Sequence, residues 1–339
     1  MFKKEIGIDL GTANTLIYMK GKGIIMREPS VVAIDVHSQE VRCVGAEAKE
    51  FIGRTPGSIV AVRPLKDGVI ADFEVAAEML RQFMQKCCKK GPFTKIHVAI
   101  CVPSGVTRVE RLAVRRAALK AGAKALVSVI EEPLAAAVGA GLPVGDASGS
   151  MVLDIGGGTS EVVVVSMNGV VAKKSIRIGG DEFDRSIIAY VKRKYNMLIG
   201  DRTAEQAKIA IGSAYPYEGE EPMEIKGRNL LDGLPKNISI RPEEIREALS
   251  DSLDQIVEAV RTTLEIVPPE LSADIIDRGL TLTGGGALLR GIDVLLSKET
   301  GIAVHVAENP LDCVAIGTGS VLDNADILES LAEEEEIND

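Results

Sequence analysis

One short pattern occurs twice in this chain, and it restricts the fold more than any other feature. Residues 6–18 read IGIDLGTANTLIY, and residues 151–165 read MVLDIGGGTSEVVVV. Each is an apolar run ending in Asp, then a Gly-containing loop with hydroxyl residues, then a second apolar run. The loops are DLGTANT (9–15) and DIGGGTS (154–160). Two similar units, about 145 residues apart, imply two similar domains that face each other. Residues 162–165 are all Val, a β run, so the second loop is the turn of a hairpin. Rossmann and Walker A loops open a helix instead, and this arrangement argues against both.

The rest of the chain agrees with two layered domains. A length of 339 residues suits about two domains. There is no Trp and only 3% aromatic residues, so Val, Ile, Leu and Ala must build the core, as in an α/β layer fold. Residues 72–90 carry Ala76, Met79, Leu80, Phe83, Met84 and Cys87 at helical spacing. Thr107 with Glu110 forms a capping box, and Gly122 suits the stop of that helix. Thr203 with Gln206 reads as a second capping box. Pro242 opens a long helix through Leu264, which Pro268 and Pro269 end. Strand-like runs lie at 31–36, 96–102, 126–130, 170–178 and 279–283. Residues 214–236, rich in Gly, Pro and Glu, read as an exposed and partly mobile insertion.

Charge and cysteine usage exclude several classes. The net charge of −10 opposes broad binding to nucleic acid and leaves only local membrane contact. Residues 333–336, all Glu, read as a solvated terminus. Five Cys with no C-x-x-C, and three scattered His, give neither a disulfide framework nor zinc spacing, which fits a reducing cytosol. The first five residues are basic without an apolar run behind them, unlike a secretory signal. No apolar run is long enough to span a bilayer.

The loops carry the chemistry. Gly11 permits close backbone approach to an anion. Backbone N–H groups and hydroxyls from Thr12, Ala13, Asn14 and Thr15 can bond phosphate oxygens. Asp9 repels phosphate unless a divalent cation lies between them, as Mg²⁺ does when it keeps several waters. Alone, this loop reads equally as a tight Asp turn. Asp154, Gly156, Gly157, Gly158 and Thr159 repeat the chemistry. Three successive glycines carry an entropy cost, so a backbone cradle for phosphates explains them better than a turn does. LTGGGALLRG (282–291) places Gly284, Gly285 and Gly286 after an apolar strand and before a helix, where a flat base or ribose can lie against backbone; alone, the run reads equally as a tight strand–helix junction. In VIEEPLAAAVGAG (129–141), Pro133 suits the first helical position, with Glu132 at the cap. Glu132 then either complements the helix dipole or orients a water for attack on a γ-phosphate.

DLGTANT, EEPLAAA, DIGGGTSE, RIGGDEFD, LTGGGALLRG and AIGTGSVL occur here in that order, from residue 5 to about 330. That series resembles the actin-like ATPases: actins, large heat-shock chaperones and sugar kinases. REPSVVAID, RPLKDGVIADF, RTAEQAKIAIGSAYP and GLTLTGGGALLRGID are similar to the MreB family in particular, the filament-forming actins of rod-shaped bacteria.

The resemblance implies an actin-like fold, two related α/β domains around a nucleotide cleft, each with a smaller subdomain. Subdomain IA would comprise 1–32, 66–140 and about 318–339, and IB 33–65. IIA would comprise 141–181 and 243–317, and IIB 182–242. It implies ATP, with GTP as the alternative, and Mg²⁺ held through water by Asp9 and Asp154. Glu132 would be catalytic, with Thr159 helping to place water. Glu205 and Lys208, three apart on one helix face, would hold ribose and base; their other reading is a surface ion pair. Gly284, Gly285, Gly286 and Ala287 would line the adenosine.

The family polymerises head to tail into paired antiparallel filaments. These bind the inner face of the cell membrane from the cytoplasm and organise the cell-wall elongation complex. For the membrane contact, this chain offers Phe93 among Lys86, Lys89, Lys90 and Lys95; the other reading is a helix end with dipole-matched lysines. The first strand starts by Glu5, which leaves no room for an N-terminal amphipathic helix. Two competing functions share the superfold. A sugar or carboxylate kinase needs an acceptor pocket with its own base, and a chaperone needs a peptide-binding domain after residue 330.

Overall fold

The computed structural model describes residues 2–55, 57–88, 94–123 and 127–322. The repeat governs its architecture. In the first half, β1 (Phe2–Leu10), β2 (Asn14–Met19), β3 (Gly23–Pro29), β4 (Thr94–Val102) and β5 (Val127–Glu131) form one sheet. Its order is β3-β2-β1-β4-β5. In the second half, β6 (Ser150–Ile155), β7 (Ser160–Ser166), β8 (Gly169–Ile176), β9 (Leu280–Thr283) and β10 (Val304–Val306) form another, in the order β8-β7-β6-β9-β10. The two orders are the same. In each sheet the first three strands form an antiparallel meander, and the last two run parallel to the central one. The α/β class and the two related halves expected from the repeat are both present.

The parallel strands need crossovers, and helices supply them. In the first half these are α1 (Phe73–Cys87) and α2 (Arg108–Ala121). Asp72 caps α1 by accepting the Val75 N–H. Thr107 and Glu110 make the expected capping box, and Gly122 stops α2 in the left-handed region. α3 (Glu132–Gly139) leaves the end of β5. In the second half, α4 (Gly180–Tyr195), α5 (Asp201–Ile211) and α6 (Pro242–Glu265) cover the sheet. The proposed capping box at Thr203 does not form: α5 begins two residues earlier, after Gly200, so Thr203 already lies within its first turn. The glycine run 284–286 leads first into a 3₁₀ turn, Gly285–Leu288, and only later into α7 (Ile292–Thr300).

Each half has its own apolar core. Ile6, Ile8, Leu80, Phe83 and Ile100 lie in the first, and Leu153, Phe183, Leu253 and Leu282 in the second. A third cluster sits between them, where α3 crosses α8 (Cys313–Val321). Small residues make that crossing close. A Cβ on Gly139 would collide with the Cys313 carbonyl, and one on Gly317 with that of Ala135. The halves therefore meet backbone to backbone, through two short helices beneath the cleft.

Small sheets rise above each half. Val32–Asp35, Val41–Val44 and Ile59–Val62 form one. Met197–Leu198, Met223–Asn229 and Pro235–Ile240 form the other. Residues 214–236 thus contain the whole of Met223–Asn229 and the start of Pro235–Ile240, and only the connection between these strands presents bare apolar side chains, with Leu231 80% exposed. Phe93 and the acidic run 333–336 lie outside the described residues.

Candidate functional site

Each repeat ends its first strand on the same plan. Asp9 is the penultimate residue of β1, and Asp154 that of β6. Leu10 pairs with Thr15, and Ile155 with Ser160, which leaves turns at 11–14 and 156–159. A buried hydroxyl anchors each turn. Ser30 Oγ donates to the Gly11 carbonyl at 2.6 Å, so the Thr15 hydroxyl donates to Ser30 Oγ at 2.9 Å. Ser160 Oγ donates to the Ile178 carbonyl at 2.6 Å.

Both turns open onto one cleft of about 440 Å³, and Asp9 and Asp154 both line it. The carboxylates are buried, and burial pushes each of them up. Asp9 rises to about 7, with the charge of Asp154 adding to the effect and the Cys101 thiol, at 3.6 Å, opposing it. Asp154 rises to about 6, held lower by the Thr283 hydroxyl, which donates at 2.7 Å. Two buried carboxylates that repel each other are a natural seat for a cation. Two carboxylates and no full cage suit Mg²⁺, which keeps most of its water.

The remaining residues expected from the sequence fall around the same cleft. Gly11, Thr12, Ala13 and Asn14 line it, as do Gly156, Gly157, Gly158 and Thr159. Thr15 does not, because its hydroxyl turns to Ser30. Thr12 Oγ1 accepts the Gly68 N–H at 2.8 Å, so the short hairpin of Leu65–Lys66 and Val69–Ile70 is tied to the first loop.

Glu132 lines the cleft as the first residue of α3, with Pro133 second, one place later than the sequence suggests. Burial pushes its carboxyl well above the ordinary range, and the charges of Asp154, Asp9 and Glu161 push it further. A group so placed accepts a hydrogen bond or a proton readily once a cation offsets its neighbours. Its neighbour Glu131 faces the opposite side of the wall.

Glu205 and Lys208 both line the cleft but do not pair with each other. Glu205 accepts from Lys49 Nζ at 3.1 Å, across the cleft. Lys208 donates to the Gly180 carbonyl at 2.9 Å and stands 2.9 Å from Asp184 Oδ1. Burial lifts Asp184 to about 6 against the pull of Lys208.

The glycines 284–286 line the cleft, whereas Ala287 is turned into the core. The apolar wall comes instead from Ile209, Leu288 and Leu311, which are 69%, 56% and 50% exposed and all border the cleft. Sequence reasoning missed these three. Their only signal was an apolar residue on the polar face of a helix or turn. It also missed Arg63, whose guanidinium meets Asp181 at 2.8 Å across the cleft.

The arrangement can therefore hold a polyanion and a cation at one end, and a flat apolar group at the other. A sequence profile of the family described as MreB/Mbl protein matches residues 3–330. The cell shape-determining protein Mbl of Bacillus subtilis (strain 168) is 54% identical over 328 residues, covering 97% of this chain and 98% of that protein. The cell shape-determining protein MreB of Escherichia coli (strain K12) is 54% identical over 332 residues, covering 96% and 95%. The crystal structure of MreB 5 of Spiroplasma citri bound to AMPPNP superposes with a TM-score of 0.91 at 37% identity, over 98% of this chain and 99% of that one. An actin-like fold and agreement along nearly the whole sequence leave one assignment: the chain belongs to the MreB/Mbl family.

Proposed function

We propose that this chain binds ATP with Mg²⁺ between its two Asp–Gly hairpins, hydrolyses it slowly, and polymerises with itself in a nucleotide-dependent way. The observation that carries the reading is the convergence of both hairpins, with Glu132 and Thr159, on one cleft. The nucleotide in the Spiroplasma citri relative supports an adenine ligand; GTP is the alternative that the same walls admit.

The chain's own groups have separable roles. Backbone N–H groups of the 11–14 and 156–159 turns hold the phosphates. Asp9 and Asp154 would hold Mg²⁺ through its waters, and the ion would supply positive charge to the phosphates. Glu132 and Thr159 orient a water toward the γ-phosphorus. Its oxygen bonds to phosphorus as the bridging oxygen leaves with ADP, the water's proton ends on the released phosphate, and positioning provides most of the catalysis. The base lies against Ile209, Leu288 and Leu311, with Glu205 and Lys208 at the ribose. Glu205 must then exchange Lys49 for the sugar.

In this reading the four subdomains are IA (1–32, 66–140, about 318–339), IB (33–65), IIA (141–181, 243–317) and IIB (182–242). Head-to-tail filaments, paired antiparallel, lie in the cytoplasm against the inner membrane and organise cell-wall elongation. Among the described residues no helix is long and apolar enough to cross a membrane. Contact through Phe93 rests on the sequence alone. A single ring contributes at most about 1.5–3 kcal/mol, so many copies in a filament must act together.

The test combines sedimentation and turnover. Filaments that pellet with Mg-ATP, with hydrolysis slowed about 10²–10⁴-fold in Glu132→Ala while ATP still binds, are the expected result. Turnover that requires a small-molecule acceptor would instead mark a kinase. Phe93→Ala filaments should lose liposome binding in flotation.

A further inference from the structure

Glu131 and Glu132 are adjacent in the chain, yet they serve opposite sides of the wall between the halves. Glu132 lines the cleft. Glu131 is buried, 8% exposed, away from it. The Glu131 carboxylate accepts from Lys173 Nζ at 2.8 Å and 2.9 Å, one bond to each oxygen. It also accepts from Ser104 Oγ at 3.3 Å, and Arg111 stands at 3.7 Å. Ser104 and Arg111 belong to the first half, but Lys173 lies on β8 of the second. The ion pair therefore crosses the junction directly behind the residue assigned to water.

Two further observations make this contact more than a surface pair. First, α3 lacks the usual local anchor at its start. Its cap residue is Glu131, and that side chain makes no bond to the helix's own N–H groups. Contacts from outside the helix hold Glu131, the residue from which the first turn starts. Second, the wall is thin here. A second cavity, of about 390 Å³, lies behind it and is bordered by Lys173, Ser104 and Thr159. Thr159 borders both cavities. A parallel contact ties the same spot: Glu161, on β7 of the second half, accepts the Ser104 N–H at 2.9 Å and 3.1 Å.

We propose that Lys173 is a positioning residue for hydrolysis: by gripping Glu131 across the domain junction, it fixes the start of α3 and places Glu132 beside Thr159 only when the two halves hold this arrangement. Glu132 sits on one half and Thr159 on the other, so their spacing depends on how the halves sit. The Lys173–Glu131 bond joins the same two bodies a few atoms away. Removing the lysine leaves the buried carboxylate with Ser104 and the more distant Arg111, both on the first half, so the tie from the start of α3 to β8 is lost. A shift of about 1 Å in a water-orienting group costs on the order of 10²-fold in rate.

This inference rests on the reading of Glu132 as catalytic, and the experiment separates the two. Single-turnover ATP hydrolysis and ATP affinity are measured for Glu132→Ala, Lys173→Met, Lys173→Arg and the Glu132→Ala/Lys173→Met double variant. The expected result is a rate reduced roughly 10–100-fold in Lys173→Met with ATP affinity within about threefold, partial rescue by Lys173→Arg, and no further loss from Lys173→Met once Glu132 is gone. If Glu132→Ala hydrolyses normally, the catalytic assignment fails. If Glu132→Ala is inactive and folded Lys173→Met keeps the full rate, this inference fails alone. Losses that multiply in the double variant also overturn it, because Lys173 would then act independently of Glu132. Should Lys173→Met not fold, Glu131→Met/Lys173→Met removes the buried charge with its partner. That variant must fold and still hydrolyse slowly; a normal rate overturns the inference.

Discussion

The two hairpins share a register, an anchoring hydroxyl and a penultimate Asp, yet differ at several equivalent points. Thr12 and Ala13 in the first turn match Gly157 and Gly158 in the second. The explanation is contact: a Cβ on Gly157 would lie 2.7 Å from Ala13 Cβ, and one on Gly158 would lie 2.8 Å from Thr12 Oγ1. The side chains of one turn occupy the space that the other leaves. A further difference lies on the neighbouring parallel strand. Ile8 pairs with Ile100, which sets Cys101 beside Asp9; Asp154 pairs with Thr283. A hydroxyl donates a stronger bond than a thiol. Together with the charge of Asp154, which pushes Asp9 up, this sets Asp154 at about 6 against Asp9 at about 7. Related halves thus hold one ligand with unequal carboxylates, and Asp9 has more to gain from a cation.

That inequality gives the largest expected effect. The folded-state value of Asp9, about 7, lies above its ordinary 3.8. Between those two values the folded protein binds more protons than the unfolded chain, so stability is full below about 4 and falls as pH rises through about 7. Asp9→Asn removes this cost. Without nucleotide or Mg²⁺ it should be more stable than the parent at pH 8, by up to about 4 kcal/mol from a shift of about three units. The difference should vanish toward pH 4. Urea melts across that range decide it, and a constant difference would mean the charge is not its origin.

The steric half of the comparison predicts a somewhat smaller change. Gly158→Ala sets a methyl against Thr12 Oγ1 and, at 2.9 Å, the Asp67 backbone, and overpacking of this kind costs about 1–3 kcal/mol. Gly156→Ala is the control. Its Cβ would stand 3.5 Å from the nearest atom, the Thr159 carbonyl, so the nucleotide-free melt should barely move. Equal losses would show that the glycines answer to backbone conformation and not to the opposing loop.

These contacts mark how far the sequence could be read. The repeat, the Asp residues and the class of fold were legible because each depends on a local pattern of period two with a turn. The reason for the glycines was only half legible. A phosphate cradle accounts for an open turn, but Gly157 and Gly158 also yield to side chains about 145 residues away in the chain. In the same way Gly286 packs on Ile155, and Gly284 combines a φ of 78° with close approach to the Ile155 carbonyl. The cross-cleft partners Lys49–Glu205 and Arg63–Asp181 left no sequence signal, since each joins surfaces that only the fold brings together. Thr203 misled because a capping pattern can fall inside a helix that a glycine has already started.

Thr283 and Cys101 sharpen the electrostatic half. Thr283→Val deletes the donor to Asp154, so that carboxyl should climb toward the value of Asp9. Cys101→Thr should bring Asp9 down toward that of Asp154. Carboxyl carbon NMR titration of the nucleotide-free protein reads both. A hydrogen bond to a charged group is worth about 1.5–3 kcal/mol, and a climb of about one unit, about 1.4 kcal/mol, puts the loss at the low end. If the two carboxyls keep their order after both substitutions, the neighbouring strand is not what separates them.

The smallest effect concerns the anchoring hydroxyls, which look equivalent but are wired differently. Ser160 Oγ donates straight to the Ile178 carbonyl, so Ser160→Ala strips a buried acceptor of that donor, at about 1 kcal/mol. Thr15 donates to Ser30, and Ser30 passes its own proton to the Gly11 carbonyl. Thr15→Val therefore leaves the carbonyl at the turn satisfied and exposes only a lone pair of a hydroxyl that keeps its donor bond. Its cost should be about half as large, near the lower limit of a net hydrogen bond. Urea unfolding at matched pH resolves a gap of that size when the slopes agree. A Thr15→Val loss equal to or above that of Ser160→Ala would mean that Ser30 reorients when its partner is gone, and that the first turn depends on the pair as a unit.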